Sequence, residues 1–85
     1  MQGRERLVTI RFVNPLVDTV VDRLGVEGVQ YAQLDENHFT VTTKLEVGSM
    51  FYGWLLGFGK GAKLLAPEDE VGKFAEYLKD IQMMY

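Results

Sequence analysis

The five residues Gly57-Phe58-Gly59-Lys60-Gly61 combine glycine and lysine in the way of loops that wrap a phosphate in backbone N–H groups. Their position argues against that chemistry. Phosphate loops lead from a strand into the positive end of a helix, whereas these glycines follow an apolar helical run and precede the strand-like Ala62-Lys63-Leu64-Leu65. The helix end facing them is the negative one, and neither Ser nor Thr follows Lys60. A helix stop and tight turn is the expected role.

The other reactive residue types stand alone. His38, the single histidine, shares a turn with Asp35 and Glu36 but lacks the paired His, Cys or acidic spacing of a metal site. Ser49 precedes a helical run and reads as its N-cap, since no motif supplies a base to make it a nucleophile. Glu68, Asp69 and Glu70 read as the acidic first turn of a helix rather than a carboxyl pair held in a cleft. The absence of cysteine removes disulfides, thiolate ligands and a Cys nucleophile. The expectation is therefore no catalytic residue, no metal and no cofactor.

With 85 residues, 47% hydrophobic and 25% charged, the chain has the composition of one small globular domain, residues 1–85, with residues 1–5 expected to be disordered or vector-derived. The net charge of −3 comes from scattered charges of both signs, without the basic stripe that phosphate neutralisation requires. The charged N-terminus does not resemble a signal peptide, which together with the missing cysteines predicts a cytoplasmic location. Residues 50–58 form an apolar run about half as long as a membrane span, which needs roughly 20 residues.

Val8, Ile10 and Phe12 recur at every second position, predicting a first strand whose other face carries Leu7, Thr9 and Arg11. Asn14-Pro15 predicts a capped helix start, followed by an apolar face of Leu16, Val17, Val20, Val21 and Leu24, and Gly25 as the stop. Residues 29–34 and 39–47 predict a hairpin turning at Asp35-Glu36-Asn37. In its second strand Phe39, Val41, Thr43, Leu45 and Val47 share one face.

A second helix is predicted over residues 50–58, with Met50, Phe51, Trp54, Leu55 and Phe58 toward the core. Tyr52 and Leu56 then project outward beside Gly53 and Gly57, and these four residues form the candidate interface. A short strand, residues 62–65, leads through Pro67 into a last helix with Val71, Phe74, Leu78 and Ile81 as its buried stripe and Met83 and Met84 padding a core edge or interface. The order β-α-β-β-α-β-α predicts an α+β fold. It is ferredoxin-like βαββαβ with an additional C-terminal helix, a four-stranded antiparallel sheet carrying its helices on one face. RNA-recognition domains share that order, but Leu7, Thr9, Arg11, Thr40, Thr42 and Lys44 on the open face supply no aromatic platform. Arg6, Arg11 and Lys44 are the candidate contacts for an anionic effector.

The strand "LVTIRF", the helix "VVDRLG" and the passage "WLLGFGKGAKLLAPEDEV" leading into a terminal helix follow one another in an order that resembles a known family. It is the C-terminal extension domain, often called WCX, of bacterial WYL-domain transcriptional regulators, and the likeness covers residues 6–85. Its most specific part is Trp54-Leu55-Leu56, Phe58-Gly59, Ala62, Leu64-Leu65, Pro67 and Glu68. In that family a winged helix-turn-helix domain binds DNA, a WYL domain senses a ligand thought to be a nucleotide or nucleic acid, and the extension supports dimerisation and effector response.

The resemblance implies a non-enzymatic regulatory and oligomerisation domain that docks on a partner subunit or a neighbouring WYL domain. A nucleotide or single-stranded nucleic acid would act as effector in the full-length protein. This chain carries neither the DNA-reading domain nor the WYL signature, so direct duplex DNA binding is not expected of it; nor is membrane contact. The alternative is a ferredoxin-like small-molecule sensor of the ACT type. That reading expects a glycine-rich turn after the first strand, and Val13-Asn14-Pro15 offers none.

Overall fold

In the computed structural model, which describes residues 4–85, a ten-residue strand β1, Arg4–Val13, opens the chain. Of the terminal segment expected to be disordered or vector-derived, residues 1–3 lie outside the described residues, and Arg4 and Glu5 belong to β1. Alternation places Val8, Ile10 and Phe12 in the core and Leu7, Thr9 and Arg11 on the opposite face. A 3-10 turn, Asn14–Leu16, precedes the helix α1, Val17–Leu24.

Asn14 does not cap that helix. Its side-chain amide donates to the Glu36 carbonyl at 2.9 Å and its backbone N–H to the Asn37 carbonyl at 2.9 Å, so it ties the hairpin turn to the end of β1. Gly25 ends α1 with φ of 76°, a left-handed conformation that glycine adopts at no steric cost, and donates its N–H to the Val21 carbonyl.

The strands β2, Gln30–Gln33, and β3, His38–Val47, form the hairpin. The helix α2, Ser49–Leu56, follows with Gly48 at its N-cap position and no side-chain cap bond, so Ser49 is the first helical residue and not the expected cap. Gly57 remains right-handed, and the chain reverses at Gly59, where φ is 59°, through the 3-10 turn Gly59–Gly61 into β4, Ala62–Ala66. The last helix, α3, spans Glu68–Gln82.

The sheet order is β2-β3-β1-β4 with every neighbour antiparallel, the ferredoxin-like arrangement with α3 added at the end. The two central strands share a ladder running from Arg4↔Val47 to Val13↔His38. Val20 of α1, Phe51, Tyr52 and Leu55 of α2, and partly buried Val71, Phe74 and Tyr77 of α3 pack against the face made by Val8, Ile10, Phe12, Val41 and Val47. Phe12, at 0% exposure, is the centre of an aromatic group. It stacks on Phe39 at 5.6 Å between centroids and meets the edges of Trp54 at 6.2 Å and Phe58 at 5.3 Å.

This packing makes Phe12 the side chain with most to lose by truncation. Phe12→Ala is expected to destabilise the fold by about 3–5 kcal/mol, because removing the ring forfeits its burial and leaves a cavity among other rings. Urea unfolding followed by Trp54 fluorescence measures it; an unchanged midpoint would contradict the assigned core.

Candidate functional site

The outward side of α2 differs from expectation. Tyr52 is buried at 8% exposure because α3 packs along that flank of α2: its ring lies 5.1 Å from Phe74 and 4.7 Å from Tyr77 between centroids. Tyr52 is therefore a helix-to-helix core contact and not an interface residue. Met50, expected toward the core, is 88% exposed.

At about 100° per residue, Met50, Gly57, Gly53 and Leu56 follow one another across a single strip, opposite Phe51 and Leu55. Leu56 is 39% exposed and open space surrounds the Cβ position of Gly53, so three of the four expected interface residues stay on the surface and Met50 joins them. Met50 was legible only in part: the helical period placed it on the edge of the apolar arc, and the position of α3 decided the rest.

The three candidate anion contacts divide between the two faces of the sheet. Arg6 points to the core side, where its guanidinium bonds Glu70 Oε2 at 2.7 Å and Asp69 at 3.1 and 3.2 Å. Arg4, two residues earlier on the same face, donates to both oxygens of Glu70 at 2.7 and 2.8 Å. Arg6 is thus already paired with carboxylates of this chain. Glu70 is completely enclosed, and a buried carboxylate is sustained only by such charge-assisted bonds. Bonding from Arg6 holds the Asp69 carboxyl below its ordinary range, and the same contact raises Arg6.

Arg11 and Lys44 lie on the open face, and Lys63 of β4, opposite Arg11 in the ladder, adds a third cation that the strand reading of residues 62–65 implied but did not single out. Thr9 and Thr42 face each other there with hydroxyls 3.0 Å apart. None of the three cations is ion-paired among the described residues.

The single histidine has a structural partner. His38 Nδ1 lies 2.8 and 3.1 Å from the two oxygens of Asp35 within the hairpin turn. The Asn37 backbone N–H, and then His38, hold the Asp35 carboxyl below its ordinary range. No group of three His, Cys, Asp or Glu suited to a metal ion occurs among the described residues. Met83 and Met84 are 75% and 74% exposed and do not pad the core. None of the described helices is long and apolar enough to cross a membrane.

A family model described as the WCX domain matches residues 4–82. No curated protein and no solved structure matches the chain.

Two outcomes follow from the carboxylates. Glu70→Ala is expected to cost roughly 2–3 kcal/mol in urea unfolding, below the 3–5 kcal/mol of a fully enclosed pair because both arginines keep water contact; Asp69→Ala, at the exposed end of the cluster, should lose much less. Asp35 and Asp69 have depressed folded values, so their stabilisation is complete above about pH 4 and disappears as pH falls through those lower values. Thermal melts from neutral to strongly acidic pH should show this decline, and Asp35→Asn/Asp69→Asn should flatten it.

Proposed function

The chain belongs to the WCX domain family, and from that premise we propose that it is a non-enzymatic regulatory and oligomerisation domain of a cytoplasmic bacterial WYL-family transcriptional regulator. It docks on a partner subunit or a neighbouring WYL domain and supports the response to an effector. The observation that carries the docking role is the exposed strip of α2. That helix is the most apolar of the three, yet it leaves Met50 and Leu56 uncovered on either side of Gly53 and Gly57, whose missing side chains allow close approach of another surface.

The open sheet face supports a separate part of the reading. Arg11 and Lys44, with Lys63 beside them, present positive charge on a flat surface of threonines, suited to the phosphates of a nucleotide or single-stranded nucleic acid shared with the WYL domain. Arg6 takes no part in this contact, since it lies on the opposite face of the sheet and is bonded to Asp69 and Glu70.

Sedimentation and effector titration of the regulator test the two surfaces independently. Met50→Glu/Leu56→Glu should abolish association and leave a monomer that still melts cooperatively, because Met50 is 88% and Leu56 39% exposed. Arg11→Glu/Lys44→Glu should preserve association and weaken effector binding by about tenfold or more through charge reversal. Intact association in the first variant would refute the docking role of α2.

A further inference from the structure

The edge strand β2 and the flank of α1 enclose a feature that neither docking surface uses. Asn14, Val17, Val21, Tyr31, Gln33 and Phe39 line a groove of about 480 Å³ on the helical side of the sheet. β2 pairs only with β3, through Gln30↔Thr42 to Gln33↔Phe39, and its other side has no neighbour in the sheet. The Leu34 N–H donates to the His38 carbonyl at 3.0 Å, which identifies Leu34 and His38 as a hydrogen-bonded pair. Alternation along an antiparallel ladder then turns the N–H and C=O groups of Tyr31 and Gln33 outward. An apolar groove beside unpaired backbone groups is the arrangement that accepts an added strand.

The charges around it select the occupant. On α1 the angular order outward from the core is Val20, Val17, Val21, Asp18, Asp22, so two exposed aspartates continue the flank that lines the groove. Arg23 lies toward the other flank, beside Leu24, Phe51 and Trp54. Glu36, whose carbonyl accepts from Asn14, stands at one end of the groove, and Glu27 lies in the loop entering β2 at the other. None of these four carboxylates is ion-paired among the described residues. A second copy of this edge would bring like charges together, which disfavours pairing of β2 with itself.

We propose that the β2 edge binds an extended protein segment whose alternate residues are apolar and whose ends carry lysine or arginine. The segment adds as a fifth strand, its backbone bonding to Tyr31 and Gln33, its apolar side chains filling the groove between Val17, Val21 and Tyr31, and its cations meeting Asp18, Asp22, Glu27 and Glu36.

Amide NMR titration of the chain with a capped peptide, Lys-Thr-Val-Thr-Val-Thr-Lys, tests this directly, since its lysines and valines share one side of a strand. The expected result is saturable shifts and slowed hydrogen exchange at Tyr31 and Gln33. Asp18→Lys/Asp22→Lys, a surface change that leaves the core intact, should weaken binding by about tenfold, and Glu-Thr-Val-Thr-Val-Thr-Glu should not bind. The proposal is overturned by equal binding of the glutamate peptide, by shifts confined to the Arg11, Lys44 and Lys63 face, or by no saturation at millimolar peptide. Concentration-dependent protection of Tyr31 and Gln33 without peptide would also overturn it, assigning the edge to a second copy.

Discussion

Glu70 has no exposure to solvent and nevertheless carries a carboxyl group, so its environment must supply what water would. Arg4 and Arg6 do so from the start of β1, both on its core side because they are two positions apart. The contact joins the start of the first strand to the first turn of the last helix, where Pro67 has brought the chain round. Acidic residues favour that end of a helix in any case, but here they also set where α3 lies on the sheet.

The position of α3 has consequences for the rest of the surface. With its N-terminal turn held at β1, Phe74 and Tyr77 come against Tyr52, and the flank of α2 that carries Tyr52 is closed. The free side of α2 rotates toward Met50, Gly53 and Gly57. The same contact engages Arg6, whereas Arg11, Lys44 and Lys63 on the opposite face have no ion-pair partner among the described residues. One ionic cluster thereby separates a structural set of charges from a set that faces outward.

Much of this was readable before any fold was known. Alternation in residues 7–12 and 39–47 identified the central strands and their inward faces, since a strand with one buried face must repeat every second residue. The glycine-rich Gly57 to Gly61 segment was recognised as a helix exit because its order relative to helix and strand is wrong for a phosphate loop. Local capping was less legible. Asn14 and Ser49 are both good cap residues by type, yet Asn14 bonds to a turn more than twenty positions away and Ser49 lies one residue inside its helix.

The amino-acid sequence by itself determined the element order, the inward faces of β1 and β3, and the family, because these rest on periodicity and on short motifs between neighbouring residues. Tertiary structure alone decided which side of α2 is free, which arginine is engaged, and that an edge groove forms between α1 and β2. Each of those depends on where a helix comes to rest against residues distant in the chain, and a helical period is blind to how many sides of the helix will be covered.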